Sequence, residues 1–430
     1  MCPLCSMRRR LFLSLALLLP LAACRDTGTT HAIRTIRVWC HQGQEAENQA
    51  MRGIAAAFND AHASEGLRVE LTFFPDFQYT EKLSIAAAAR DLPDAFDIDG
   101  PLVARLAAAG LLGPLEPWFS KDDLEDFLPT LLTQGTVDGR LIALGAFESA
   151  VVLYYDRALF AQAGVAPPPE GTAWTWDEFL AACARLASTG IEPVSMHMDE
   201  AADEWYTYAF SPLVWSGGGA LISEDGRSVR GVLASAANIA TLQQWQETFA
   251  KGYAATDPVD PNPFGAGATA MDWSGHWMAR SHVASKGDRL GVMPLPRIGP
   301  RSVAPSGSWC WALSSDTVTP ELAARWIRWV TDTRHGVVPI VRANGAVPGR
   351  RSAFDAFPEY SEEPYSVFRN QLERTARPRP RTPHYATLTQ HFAAALREIA
   401  RGADVAARLR AAEEQIQAVI DRREGKEDAQ

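Results

Sequence analysis

Cysteine is scarce in this 430-residue chain, and half of it lies near one end. Cys2, Cys5 and Cys24 precede residue 30, which leaves Cys40, Cys183 and Cys310 for a folded body. An odd set of three at wide intervals makes no disulfide framework and has no metal-ligand spacing. Buried free thiols are the expected state. Basic charge is also in deficit, with 41 Lys and Arg against 51 Asp and Glu. That argues against a nucleic-acid partner or an anionic membrane surface. Phosphate-cradling Gly-x-x-x-x-Gly-Lys, zinc-binding His-Glu-x-x-His and Gly-x-Ser-x-Gly runs are missing. The nine histidines are scattered, so neither a metal nor a cofactor is expected. There is no internal repeat.

What is present begins with a leader. Arg8-Arg9-Arg10 is a positive n-region, and Leu11 to Leu19 is an apolar run too short to span a bilayer. Leu21-Ala22-Ala23-Cys24 follows, closing a secretory signal in small residues. The cysteine directly after them resembles the lipobox of bacterial lipoproteins. That resemblance implies a signal peptide over 1–23, lipidation at Cys24, and attachment to a bacterial cell membrane on its periplasmic or exterior side. Residues 24–33 are then a polar tether. Residues 1–23 hold three arginines and no acid, so their removal takes the net charge from −10 to −13.

The remaining length is too great for one core and predicts two lobes. Ile36 to Cys40 reads as a strand, followed by a helix from about Glu47 to Asp60 with Met51, Ile54 and Phe58 on one face. Leu67, Val69, Leu71 and Phe73 alternate as a second strand. Asp94 to Ile98 is a third, entered through Leu92-Pro93 and broken at Asp99-Gly100-Pro101. Three strand–loop–helix units in sequence predict a parallel sheet. Their loops, 41–46, 74–79 and 99–101, converge on one edge, the edge at which open α/β sheets bind ligands. Asp99 lies there, where a carboxylate serves equally as a helix cap. Thr175-Trp176-Asp177-Glu178 reads as a capping box. Two amphipathic helices split by Gly402 close the chain, and a charged tail is expected over 424–430.

This order of elements resembles the sugar-class extracellular solute-binding proteins of ABC importers, the group that includes maltose-binding protein. The most specific pieces are Asp91-Leu92-Pro93-Asp94-Ala95, Leu153-Tyr154-Tyr155-Asp156-Arg157-Ala158-Leu159-Phe160, Thr175-Trp176-Asp177-Glu178-Phe179, and Ala270-Met271 with Gly275-His276-Trp277. The resemblance implies an α/β, type II periplasmic-binding-protein fold of two lobes, each a mostly parallel sheet flanked by helices. Crossover hinges fall near Gly145–Glu148, Asp272–Ser274 and Ser314–Thr319. It assigns 34–145 plus 274–315 to the N-terminal lobe and 146–273 plus 316–423 to the C-terminal lobe. The expected activity is capture of a sugar or small oligosaccharide, by a monomer, for ABC permease transmembrane subunits with a cytoplasmic ATPase.

A sugar presents apolar C–H faces and a rim of hydroxyls, which aromatic rings and planar carboxylates or amides recognise. Gln44, Gln78 and Asp99 occupy the three convergent loops. Glu148 matches an acidic residue at the first crossover of maltose-binding protein. Trp273 and Trp309 each sit beside a glycine break. Trp205, Tyr206, Tyr208 and Trp215 cluster where relatives present rings; only one or two of them can face a ligand, with the choice left open, and Trp205 and Tyr206 stand among the candidates. Asn344, in the turn Ala343-Asn344-Gly345, completes the candidates, although an Asn before Gly commonly serves the backbone. Ile98 stands where maltose-binding protein has a sugar-contacting Trp, so a maltodextrin preference is not expected. Two alternatives stay open. Asp97 and Asp99 are conceivable as the acid pair of a secreted glycoside hydrolase, and the solute is otherwise a polyol or glycerophosphodiester.

Overall fold

The computed structural model describes residues 33–201 and 203–427. The signal peptide and Cys24 lie outside the described residues. The first sheet has five strands in the order Leu67–Pro75, Arg34–Gln42, Ala95–Asp99, Trp309–Leu313 and Leu144–Gly145. The first three run parallel, as their intervening helices require. The other two pair antiparallel, so this sheet is mixed. The second sheet has four strands in the order Leu290–Met293, Val151–Asp156, Thr269–Gly275 and Glu192–Ser195. It is parallel only between its last two strands. Each sheet has one strand that runs against the others, Trp309–Leu313 in the first and Val151–Asp156 in the second, and each is inserted by chain that arrives from the other lobe.

Both faces of the first sheet are covered. On one, Ile36, Val38, Ala95 and Trp311 pack with Phe58 of helix Glu45–Ala61 and Trp326 of helix Pro320–Val330. On the other, Phe96, Ile98, Cys310 and Ala312 pack with Tyr79 and Leu83 of helix Asp76–Ala89. The Ala95 strand is thus buried on two sides, Asp97 included, and only Asp99 at its end is partly exposed. In the second lobe, helices Asp203–Ser216, Tyr385–Ala400 and Val405–Glu427 share a core with Val151, Leu153, Met271 and Trp273. Thr175 and Glu178 form the expected reciprocal capping box at helix Trp176–Ala187.

The sheet pairings redraw the lobe boundaries. Ser274 and Gly275 still pair with Val152 and Val151, and the chain stays with the second sheet through Met293. It enters the first sheet at Trp309. The Asp272–Ser274 segment is therefore mid-strand and not a crossover. Helix Pro320–Val330, expected in the C-terminal lobe, packs on the first sheet instead; Trp326 meets Phe58 edge-on at 5.7 Å, and Arg325 bonds Glu65 through two contacts of 2.7 and 2.9 Å. The final helix runs to Glu427, into the stretch expected as a tail.

Candidate functional site

The lobes meet where the Ala95 strand ends. Gly100 to Leu102 form a turn of 3-10 helix whose N-cap is Asp99, yet the Asp99 side chain caps nothing. Its carboxylate instead accepts two hydrogen bonds from Arg379, at 2.7 and 2.6 Å. This planar fork-to-fork pairing is the strong geometry for guanidinium and carboxylate. Arg379 also bonds Glu204 of helix Asp203–Ser216, and its guanidinium lies over the Tyr208 ring at 4.6 Å. Tyr385 donates to Glu204 at 2.6 Å. One buried cation thus links an acid of the first lobe to an acid of the second. Burial pushes the Glu204 carboxyl up to about 7, against the opposing pull of Arg379.

Beside this link, Glu148 is fully buried and accepts the backbone N–H groups of Ser149 and Gly307 at 3.2 and 3.1 Å. Gly307 has φ of +121°, a conformation natural to glycine, and it turns the chain just ahead of Trp309. Burial raises the Glu148 carboxyl above its ordinary value. Ser149 receives a hydrogen bond from Tyr208 at 2.9 Å and lies 2.9 Å from His276 Nδ1. Burial pushes the His276 imidazole down to about 3, so it is neutral at physiological pH. Trp277, next in sequence, adds a ring 6.3 Å from Tyr208 and 6.1 Å from Trp205.

The structure sorts the sequence candidates. Gln44, at the N-cap of helix Glu45–Ala61, reaches across to donate to the Trp277 carbonyl at 3.1 Å. Asp99 and Glu148 stand at the junction, and Trp309 lies beside Asp99's strand and stacks on His41 at 3.8 Å. Trp205 borders the same junction through its contact with Trp277, while its ring N–H bonds the Met196 carbonyl at 3.2 Å. Gln78 is not in a loop: helix Asp76–Ala89 starts directly after the strand, and Gln78 is an exposed residue of its first turn. Trp273 is fully buried in the second-lobe core, its indole N–H donating to the Ala209 carbonyl at 3.2 Å. Tyr206 is also core, bonded to the Met198 carbonyl at 2.6 Å. Tyr208, two residues on, is the helix position that turns to the junction. Asn344 ends helix Val338–Asn344, where it accepts from Ala346 N–H and donates to Glu47 at 3.2 Å.

Arg379 was missed by sequence reasoning. It lies in the proline-rich Arg377–Arg381 stretch, which reads as a spacer; in the structure Ala376–Pro378 pairs with Ala304–Ser306 and so aims the next residue inward. The alternation of arginines with prolines was the available signal. Asp97 and Asp99, the imagined hydrolase pair, have separate partners, since Asp97 bonds His41 and Cys40 at 2.6 and 3.1 Å.

Comparison with known proteins agrees with this architecture. A family model described as bacterial extracellular solute-binding protein matches residues 42–335. The chain belongs to that family. Among relatives of this solute-binding protein, a putative binding protein of Brucella abortus (strain 2308) is 30% identical over 122 residues, which is 28% of either chain. The match thus spans well under half of that relative's length. The cyclic α-maltosyl-1,6-maltose binding protein of Arthrobacter globiformis has a similar structure, with a TM-score of 0.75, 23% identity, and coverage of 91% of this chain and 100% of the other. UgpB of Mycobacterium tuberculosis, solved with glycerophosphocholine, gives a TM-score of 0.77 at 23% identity, covering 91% and 99%. Identity at this level shows a shared fold.

Proposed function

We propose that this protein is the lipid-anchored, substrate-binding component of an ABC importer, that it takes a sugar or small oligosaccharide between its lobes, and that it is a binder and not an enzyme. The observation that carries the reading is the junction itself, where aromatic rings and buried carboxylates from both lobes face one another. Asp99, Glu148 and Glu204 supply planar acceptors for adjacent hydroxyls. Trp309, Tyr208, Trp277 and Trp205 supply rings for C–H faces. Gln44 is a further donor at the rim. Binding shifts an open–closed equilibrium toward the closed form, and that closed shape is what permease transmembrane subunits, driven by a cytoplasmic ATPase, recognise. Cys24 holds the monomer at the cell membrane through its lipid. Replacement of Cys24 by Ala is expected to move the protein from the membrane fraction to the soluble fraction; unchanged membrane attachment argues against the anchor.

A second reading has one observation in its favour. Arg379 is a buried guanidinium at the junction, which suits the phosphodiester of a glycerophosphodiester. Its two terminal nitrogens are engaged by Asp99 and Glu204, however, which leaves only the buried Nε without a partner, and the three nearby carboxylates outnumber it. That charge balance favours a neutral polyhydroxylated solute. Thermal melts against sugars, polyols and glycerophosphodiesters separate the readings. A sugar that raises the midpoint and is recovered intact supports the proposal. A shift with the phosphodiester alone replaces it, and cleavage of an oligosaccharide turns the reading to a hydrolase.

A further inference from the structure

A second cluster of chemistry lies behind the first-lobe wall, in residues that the solute-binding reading does not use. Cys40 and His41 end the Arg34 strand, and Asp97 sits on the neighbouring Ala95 strand, with the ligand atoms of all three within 4.8 Å of one another. All three residues are buried. Cys40 Sγ donates to Asp97 Oδ2 at 3.1 Å, and His41 Nδ1 lies 2.6 Å from the same oxygen. They line an internal cavity of about 10 Å³ together with Glu47 and Asn48. That is the room of a single ion or water.

Two further observations point to a cation. Asn48 is 2% exposed and its Oδ1 has no hydrogen-bond partner, although its amide nitrogen bonds the Gly43 carbonyl at 2.9 Å. A buried carbonyl oxygen of a cavity-lining residue, without a donor, is an acceptor available to an ion. The cavity also gathers two carboxylates, Glu47 and Asp97, beside the Cys40 sulfur. Carboxylates gathered in so small a buried space are costly unless paired, hydrogen-bonded or coordinated to a metal.

We propose that Cys40, His41 and Asp97, with Glu47 or Asn48 completing the set, bind a divalent transition ion of the zinc type. A sulfur, an imidazole nitrogen and carboxylate oxygens are the donors a borderline-soft ion prefers. The outer partners are built in. Asp97 accepts the His41 backbone N–H at 3.0 Å and Asn344 donates to Glu47 at 3.2 Å, which orients the inner ligands. On binding, the Cys40 thiol proton passes to solvent, and His41 carries its ring proton on Nε2 so that the Nδ1 lone pair faces the ion. Because His41 stacks on Trp309, the ion fixes the orientation of a ring at the solute junction. Sequence spacing hid the set: two ligands are adjacent, and the third lies 56 residues beyond His41, on another strand.

The test is cobalt titration of the chelator-treated full-length protein in the absence of any sugar, which keeps it independent of the solute assignment. One equivalent of Co²⁺ is expected to bring up a thiolate-to-cobalt absorption band in the near ultraviolet, removed by Zn²⁺. Cys40→Ser is expected to abolish the band, Asp97→Asn to weaken binding at least tenfold, and Cys183→Ser to change nothing. Circular dichroism verifies that each variant is folded, and Glu47→Gln, with an expected loss of severalfold, stands in if Asp97→Asn does not fold. Absence of the band in the folded wild-type protein overturns the proposal. So does a band that survives Cys40→Ser.

Discussion

The two walls of the interlobe junction are built on different principles. The first-lobe wall is made of strand ends: Asp99 and Trp309 project from neighbouring strands whose register sets them opposite each other. The second-lobe wall is made largely from one helix, Asp203–Ser216, plus the turn after Gly275. A strand shows alternate residues to one face, whereas every residue from Trp205 to Ser216 in this helix is buried. Burial therefore cannot tell its junction side from its core side. The same residue type can have opposite roles in the two settings: Trp309 is only partly buried and stacks on His41, while Trp273 has no exposed surface.

The sharpest way to test that difference is to truncate the two tryptophans. Trp273→Ala removes a filled core position and is expected to lower unfolding stability by about 3–5 kcal/mol in a denaturant titration. Trp309→Ala should leave stability within about 1 kcal/mol of wild type and instead weaken solute binding, measured by calorimetry, roughly tenfold. Equal stability losses in the two variants would erase the distinction drawn between them.

Arg379 joins the walls, so its removal tests whether they are coupled. Arg379→Ala leaves Asp99 and Glu204 facing each other without their shared cation and is expected to destabilise the protein by about 3–5 kcal/mol, as breaking a buried ion pair does. The double variant that also replaces Asp99 with Asn should recover part of that loss in the same thermal or chemical melts. No recovery would mean that Arg379 acts through packing alone.

A smaller effect is expected from pH on the second-lobe turn. His276 is held neutral by burial, with its pKa lowered to about 3. The unfolded chain takes up a proton near its ordinary value while the folded chain does not, so this contribution is complete above about pH 6.5 and is lost as pH falls toward 3. Stability attributable to His276 should decline by about 3 kcal/mol between pH 7 and pH 4. The decline should be shallower in His276→Gln, as followed by acid titration of the melting temperature. Parallel curves for the two proteins would show that His276 does not carry the effect.

The legibility of the fold and of the site differed for physical reasons. Periodicity identified the strands, the helix caps and the two closing helices because local spacing determines them; Thr175 and Glu178 met as expected. Lobe boundaries were less legible. Gly275 looks like a break in sequence, yet it is the last paired residue of a central strand. The run Phe74-Pro75-Asp76 reads as a turn and so puts Gln78 in a loop, whereas the chain goes straight from strand to helix there. At the junction, Asp99 is legible from its place past a strand end, and Glu148 only through the resemblance to maltose-binding protein. Their environment is not, since Arg379 approaches Asp99 across 280 residues.

The central claim is that the interlobe junction holds a sugar, and mass spectrometry of the ligand released on denaturing freshly purified protein tests it most directly. A hexose-based sugar or small oligosaccharide, recovered intact and absent from an Asp99→Ala variant with preserved fold, is the predicted result. A glycerophosphodiester, a peptide or any other non-carbohydrate solute released in its place would contradict the account.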